Sequence, residues 1–289
     1  HYEKTVVENG LKKIKEFPAS IDRWSMVGND PKKWELTKSI AVAGDIHWIS
    51  TSADKTVAVL AGKDTLIFRP DKGTVGNVGL KQAYSLHYMA EISPDGKHAY
   101  VSNTQERVIH MVDVATQKVV DTWKLTVLNP NPPNLWPVEM RITQDDKILV
   151  TADFGDHKVS FCDRTKKGGA CKFVKTGTDW PHGVAWTNDG QRALILSFEK
   201  MPVIAQEWKN AKIKSSTLII DRNTHKVVAT LKWPLSVSHA QPIPTKTKQE
   251  ELLLPSSFGT IARSRMNGTI TGQLVVGEGY PMPAMLVSF

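Results

Sequence analysis

The sequence lacks the features that mark a membrane-spanning protein or a common enzyme. No run approaches the roughly 18 consecutive apolar residues of a membrane helix, so we expect no membrane span. The motifs Gly-x-Ser-x-Gly and His-Glu-x-x-His and glycine-rich phosphate loops are missing. Cys-x-x-Cys-His is missing too, which excludes a covalently attached c-type haem. No secretory signal is visible, and because the chain begins at His1 without a Met, the sequence is consistent with a processed or trimmed N-terminus from which a signal peptide is already gone.

Cysteine is scarce, with two residues in 289, Cys162 and Cys171. They flank the stretch DRTKKGGA, whose Lys-Lys-Gly-Gly segment is typical of a hairpin loop. A hairpin would place the two side chains opposite each other, so a disulfide is predicted, with two half-buried free thiols as the alternative. Disulfides belong to oxidising compartments, so the pair also predicts a periplasmic or extracellular location.

The chain has fewer acidic residues than basic ones, 29 Asp and Glu against 37 Lys and Arg, and the formal net charge is +8. A basic surface attracts acidic partners. The lysines are scattered in pairs such as Lys12-Lys13 and Lys166-Lys167, as on an ordinary solvated surface, and no arginine-rich motif interleaved with aromatic residues is present. We therefore predict no nucleic-acid partner.

What the chain does contain is a repeat. The stretch EISPDGKHAYVSN, residues 91–103, is an apolar run, a tight turn and a second apolar run. Its Ser-Pro-Asp-Gly turn has relatives that begin at Ser52, Thr143 and Thr187, each between short apolar runs. The Asp-Gly pair supplies the positive φ that a tight hairpin needs. This repeated pattern of apolar run, turn and apolar run predicts paired antiparallel strands throughout the chain.

A third run and a polar hairpin follow each pair. Residues 108–125, VIHMVDVATQKVVDTWKL, and residues 217–233, TLIIDRNTHKVVATLKW, are copies of one unit. Four short strands in a repeat of about 40–57 residues are typical of a β-propeller blade. Packing blades side by side around a ring buries both faces of every sheet, which one sheet alone cannot do. The predicted fold is all-β, a β-propeller of four-stranded blades.

The repeat does not cover the whole chain. Blades are predicted to begin near residues 46, 86, 136, 181, 238 and 281, and the last is cut short at Phe289. Seven blades are favoured, in a chain that continues further, and six with an irregular closure are the alternative. Residues 1–33 are predicted to be an N-terminal arm and 34–289 the propeller. The arm is expected to hold a short amphipathic helix over 5–17, ended by Pro18.

Two stretches resemble a known family. SPDGKHAYVSN, with Tyr100-Val101-Ser102-Asn103, and WPHGVAWTNDGQRALIL, residues 180–196, are similar to the YVTN-type repeat of bacterial and archaeal propellers. The resemblance covers about residues 46–281 and implies the fold. Relatives in that superfamily include extracytoplasmic binding proteins, lactonases, amine dehydrogenase subunits, the propeller of nitrous oxide reductase and proteins that handle haem d1. Such a widely used fold does not fix the function.

Four of the nine histidines fall at the predicted starts of first strands, which would ring one mouth of the central channel: His47, His87, His182 and His239. Trp136 holds the same place in another blade. Because imidazole suits copper, zinc and iron, these four histidines are a predicted metal set. For a haem, His87, His182 and Trp136 are the predicted binding residues.

A structural role is the alternative for these histidines. His47 and His182 lie five residues before their turn, while His87 and His239 lie six before it. Adjacent positions of a strand point to opposite sides, so this mixed offset weighs against one shared site. The nitrous oxide reductase resemblance is incomplete as well, since there are no His-His pairs and no cysteine-rich copper domain.

The sequence therefore predicts an extracytoplasmic β-propeller that acts as a binding or scaffold subunit, within a periplasmic redox complex of respiration or the nitrogen cycle. Protein partners are expected. The alternative hypothesis is a copper- or haem-dependent oxidoreductase, or a haem-handling protein, that uses the channel histidines.

Overall fold

The structure is a computed structural model, and almost all of its regular structure is β-strand. It describes residues 3–8, 11–16, 19–25, 35–42, 46–62, 64–69, 72–80, 89–104, 106–128, 137–178, 180–198, 214–233, 237, 240–243, 251–255 and 260–275. The helical segments in these ranges are two short 3₁₀ turns, Phe154–Asp156 and Lys167–Ala170. No described helix is long and apolar enough to cross a membrane.

The N-terminal helix predicted over residues 5–17 is wrong. Strands β1 (Glu3–Glu8) and β2 (Leu11–Glu16) form an antiparallel hairpin in which Glu8 pairs with Leu11. Two residues separate the paired ends, and in the sequence they are Asn9 and Gly10, the pair that most favours a two-residue hairpin loop. The strong local turn signal outweighs the helical spacing of apolar residues on which the prediction rested.

The next two strands also pair with each other. Strand β3 (Ala19–Ser25) runs antiparallel to β4 (Glu35–Val42), and Ile21 lies opposite Ile40. This pairing joins residues on both sides of the predicted boundary between the arm and the propeller. The boundary at residues 33 and 34 stays a prediction.

Five four-stranded antiparallel sheets account for the described strands beyond β4, and in each the strands pair in chain order. We call these sheets blades 1 to 5. Their strands are β5 (Ile46–Thr51), β6 (Ala58–Gly62), β7 (Thr65–Arg69) and β8 (Thr74–Asn77); β9 (Ala90–Ile92), β10 (His98–Asn103), β11 (Val108–Asp113) and β12 (Lys118–Lys124); β13 (Pro137–Ile142), β14 (Ile148–Asp153), β15 (Lys158–Asp163) and β16 (Lys172–Lys175); β17 (Pro181–Trp186), β18 (Arg192–Phe198), β19 (Ser215–Asp221) and β20 (Val227–Trp233); and β21 (Gln241–Ile243), β22 (Glu251–Pro255), β23 (Thr260–Arg265) and β24 (Ile270–Val275). The prediction of four-stranded blades is confirmed, and the number of blades in the whole protein stays a prediction.

The turn between the first two strands of a blade is built in the same way in blades 1 to 4. Its Ser or Thr hydroxyl donates to the Asp two residues later, over 2.6–2.7 Å, and accepts the backbone N–H five residues later, over 2.9–3.1 Å. Gly96 and Gly190 follow the Asp in two of these turns and have φ of +69° and +66°. The repeated turn thus fixes where each first strand ends.

A second repeated turn joins the last two strands. Asp113, Asp163 and Asp221 each accept hydrogen bonds from the backbone N–H and the hydroxyl of a Thr two or three residues later. These bonds lower the pKa of all three carboxyls below the usual value. The matching of residues 108–125 with 217–233, made on sequence alone, therefore reflects one common hairpin.

Residue contacts divide the chain into two compact units, His1–Val101 with Met111–Val120, and Ser102–His110 with Asp121–Phe289. Blades 3 to 5 lie in the second unit. Their cores follow the alternation of side chains along a strand. In β18, Ala193 and Ile195 pack with side chains of blade 3, and Leu194 and Leu196 pack with side chains of blade 5. Both faces of blade 4 are thereby buried against its neighbours, as the propeller prediction requires.

The predicted disulfide is present between Cys162 and Cys171. Strands β15 and β16 pair up to Phe161 opposite Lys172, so the two cysteines come next in register and face each other. The loop they close packs on blade 2, where the Gly168 N–H donates to the Asp121 carboxylate and Gly169 lies against the buried Trp123 ring. Neither cysteine is a free thiol.

Candidate functional site

The structure describes part of the predicted histidine set. His87, His239 and Trp136 lie outside the described residues. His47 is placed in β5, but its side chain is not described. His182, in β17, is described with its side chain and is half-buried. The proposed convergence of four imidazoles, and the haem set of His87, His182 and Trp136, therefore stay predictions.

A β-bulge interrupts the beginning of the first strand in three blades. The register shifts between Ile46 and Trp48 in β5, between Pro137 and Glu139 in β13, and between Pro181 and Val184 in β17. His47 and His182 both fall inside these bulges. Bulges re-aim side chains and are frequent next to functional sites. The strict alternation that counted against a shared site does not hold here, because a bulge resets which side a residue points to.

His182 lies beside an aromatic ring and a buried acid. Its imidazole meets the Phe198 ring edge to face, with centroids 5.7 Å apart. It is also close enough to the Glu139 carboxyl in neighbouring β13 to lower that group's pKa when the imidazole is protonated. His182 is therefore placed at the junction of blades 3 and 4, with an acid from the neighbouring blade next to it.

Glu139 is the central residue of this junction. It is 1% exposed, its Oε1 lies 2.8 Å from Nη2 of Arg141, and its Oε2 accepts the backbone N–H of Val184 over 3.0 Å. Burial raises the pKa of Glu139, while the charges of Arg141 and His182 and the Val184 hydrogen bond oppose the rise. The Val184 hydrogen bond also ties β13 to β17.

The corresponding junction in the first unit is built with another buried glutamate. Ser50 of β5 donates its hydroxyl to Glu91 of β9 over 2.9 Å and accepts the Ile92 N–H over 3.2 Å. Glutamate thus connects neighbouring first strands at two places in the chain. This repetition favours a structural role for Glu139, with His182 as the group beside it that remains half-exposed.

The described residues contain no cluster of three or more His, Cys, Asp or Glu side chains that could hold a metal ion. Within those ranges His182 therefore has a carboxyl neighbour rather than a set of further ligands. A metal centre, if the predicted set forms one, requires the side chains of His47, His87 and His239.

A second buried charged cluster was not predicted. Lys158, 2% exposed, points its Nζ at Oδ2 of Asp153, 2.6 Å away, and at Oδ2 of Asp156, 2.7 Å away. The Ser160 hydroxyl donates to the same Asp153 oxygen over 2.8 Å, and the Leu128 N–H donates to Asp156 over 3.1 Å. We call Lys158, Asp153 and Asp156 the lysine cluster.

The lysine cluster lies at the same edge of blade 3 as the start of β13. Pro137 pairs with Asp153 across β13 and β14, and Asp153 pairs with Lys158 across β14 and β15. Next to it His157, at φ +51°, accepts the Trp180 N–H on its Nδ1 over 3.3 Å. His182 therefore lies at the same edge of blades 3 and 4 as Glu139, Asp153 and Lys158. These three are the buried charged residues that the structure describes in the second unit.

Comparisons with known proteins support the fold and leave the function open. No protein-family model and no curated protein matches the chain. A solved chain of Kuenenia stuttgartiensis hydrazine synthase is similar, with a TM-score of 0.56 and 14% identity over 84% of this chain and 70% of that chain. At this identity the likeness shows the fold alone, an all-β propeller type. Because 1206 solved chains match this chain, the shared fold does not by itself select an activity.

Proposed function

We propose that this protein is an extracytoplasmic β-propeller that serves as a binding or scaffold subunit of a redox complex, in respiration or the nitrogen cycle. The observation that carries the proposal is the likeness to a hydrazine synthase chain over 84% of the length. It supports a place among proteins of nitrogen redox chemistry, and the YVTN-type resemblance supports the same class of extracytoplasmic propellers.

The disulfide supports the location. Cys162 is fully buried and bonded to Cys171 within one blade. Such a bond persists in an oxidising compartment and is rare in the cytosol. We infer a periplasmic or extracellular protein.

The surface of the outer strands supports protein partners. Strands β12, β16 and β20 are the fourth strands of their blades and carry large exposed apolar side chains: Val119, Val120, Phe173, Val227 and Val228. Val120 and Val228 are 52% and 53% exposed. Lysines flank these residues along the chain, so each of these strands suits a partner that is apolar and acidic.

Purification of the tagged protein from its own cells tests the scaffold role. We expect a second chain to elute with it at a fixed ratio through size-exclusion chromatography in 0.5 M salt (an ionic strength of about 0.5 M screens surface charges beyond a few Å). A tag on that second chain should recover this protein in return. Elution of this chain alone, with no second chain at a fixed ratio, would contradict the proposal.

The bulges favour one second candidate, a copper or haem site formed by the channel histidines. His47 and His182 hold the same place in the bulges of β5 and β17, and Glu139 could orient the His182 ring as carboxylates orient metal-binding imidazoles. The test is metal analysis with an absorption spectrum on natively purified protein. Stoichiometric copper or a haem band that is lost in H182A supports this candidate, and a colourless, metal-free protein contradicts it.

A further inference from the structure

The lysine cluster contains one more carboxyl group than a simple ion pair needs. One ammonium group is buried between two carboxyls, where a single carboxylate would neutralise it. Removing three ionisable groups from water is costly unless each is paired or loses its charge. A buried amine that touches two carboxyl groups is also the arrangement in which an amine and an acid can condense.

We propose that Lys158 and Asp153 form an intramolecular amide bond, with Asp156 as the group that moves the protons. Strand register and side-chain contacts assign the roles. Asp153 lies opposite Lys158 in the strand register, so the bond would join neighbouring positions of β14 and β15. The Lys158 Nζ lies 2.6 Å from Asp153 Oδ2, so the amine is held directly beside the carboxyl group whose Cγ it would attack.

Asp153 is suited to be the acid that is attacked. Burial raises the pKa of the Asp153 carboxyl, and the nearby Asp156 charge raises it further, which favours the neutral acid that an amine can attack. The Ser160 hydroxyl donates to Oδ2 of Asp153 and would stabilise negative charge on that oxygen as the bond forms.

Asp156 is suited to be the base. It lies 2.7 Å from the same Nζ, and the Leu128 N–H donates to its carboxylate. A lysine in a site shielded from water becomes a nucleophile once it loses its proton to a neighbour. Asp156 is the neighbour that can take this proton without being consumed.

The step balances without an oxidant or a reductant. The Lys158 ammonium gives one proton to the Asp156 carboxylate, and the free amine attacks Cγ of protonated Asp153. The C–N bond forms, one C–O bond breaks, and the oxygen leaves as water. The amide nitrogen keeps one hydrogen, and one proton remains on Asp156. The product is a neutral side-chain amide that closes the 3₁₀ turn Phe154–Asp156 covalently.

Mass measurement of the intact wild-type protein tests the proposal directly. After full reduction and denaturation, the chain should be lighter than its sequence mass by one water, about 18 Da. Reduction removes the contribution of the Cys162–Cys171 bond, so the remaining difference belongs to other chemistry. A reduced chain at its full sequence mass would overturn the proposal, whatever the variants do.

Tryptic mapping locates the bond. An amide at Lys158 blocks cleavage there, so we expect one peptide of residues 148–164 that is lighter by one water. A cyclic imide at an aspartate would give the same mass loss but leave Lys158 cleavable. Cleavage after Lys158 together with the mass loss would therefore also overturn the assignment.

Two variants complete the test. K158R keeps a positive charge but offers no amine of comparable nucleophilicity, and we expect its full sequence mass. D156N keeps Asp153 and Lys158 but removes the base, and we expect at least a tenfold smaller cross-linked fraction in freshly made protein. An undiminished mass loss in folded K158R would exclude Lys158 as the amine.

Discussion

The loop closed by the disulfide allows a sharp test of how blades 2 and 3 pack, through the substitution Gly169→Ala. Gly169 has φ +71° and lies against the face of Trp123, which is fully buried. A methyl group at Gly169 would lie 2.6 Å from Cγ of Trp123, closer than carbon atoms approach in proteins. Either the ring or the loop must move.

The neighbouring glycine supplies a matched control. Gly168 has nearly the same backbone conformation, φ +69°, but no described atom lies within 4 Å of a methyl group there. G168A should therefore lose only the backbone preference, about 1–2 kcal/mol. G169A should lose that amount and the overpacking cost of about 1–3 kcal/mol as well. We expect a difference of about 1–3 kcal/mol between the two variants.

The measurement is equilibrium unfolding in urea, followed by far-UV circular dichroism and by tryptophan fluorescence. We expect G169A to have the lower unfolding midpoint and a changed fluorescence in the folded state, because Trp123 is displaced. Equal midpoints and unchanged fluorescence in both variants would show that the loop does not pack on Trp123 as described, and would refute the reasoning.

Other variants probe the turns, the disulfide and the buried acid. C171A or full reduction should lower the free energy of unfolding by about 2–3 kcal/mol, as expected for a closed loop of roughly ten residues, in urea titrations with and without reductant. T187V removes a buried hydroxyl that donates to a carboxylate and accepts a backbone N–H, so it should lower the free energy of unfolding by about 1–3 kcal/mol. T224V removes the exposed Thr–Asp bond of the second repeated turn and should lower it by less than about 1 kcal/mol. Burial raises the pKa of Glu139, so the folded chain keeps its proton over a pH range in which the unfolded chain has released it, and the contribution of this carboxyl to stability falls as the pH rises. E139Q should therefore lose less stability than wild type as the pH rises above the usual pKa of a glutamate, and an equal loss would contradict the assigned shift.

The blade unit could be predicted from sequence because its determinants are local. The Ser or Thr of the first turn, the Asp two residues later and the glycine at positive φ in two copies all act within six residues, as in Ser93 to His98. The disulfide was predictable for the same reason, since Cys162 and Cys171 face each other across one hairpin. Interactions of this range leave a pattern that repeats visibly along the chain.

The N-terminal prediction failed where two local signals disagreed. The apolar spacing of residues 7, 11, 14 and 17 fits a helix, but Asn9-Gly10 favours a hairpin, and β1 and β2 form one. In the observed register Glu8 pairs with Leu11, and Val6 lies opposite Lys13. The Asn-Gly pair, rather than the four apolar positions, agrees with the local structure that these residues adopt.

The buried charged groups could not be predicted, because they depend on contacts between sheets or across loops. Glu139 meets Val184, 45 positions away, and Lys158 meets two aspartates whose roles the sequence does not distinguish. The available signal is composition, since a Glu inside PVEMRI and a Lys at the start of KVSFCD place charged residues in strands with several apolar positions. A buried charge in such a strand is costly unless an oppositely charged or hydrogen-bonding group lies beside it, and the sequence of the strand does not identify that group.

Native mass spectrometry of the protein isolated from its own cells tests the central claim, that this propeller is a subunit in a redox complex. We predict one major species that contains this chain and a second kind of chain in a fixed ratio, with this chain free of stoichiometric metal or haem after it is released. A species that contains this chain alone and carries copper or haem would contradict the account and would make the channel histidines its functional site.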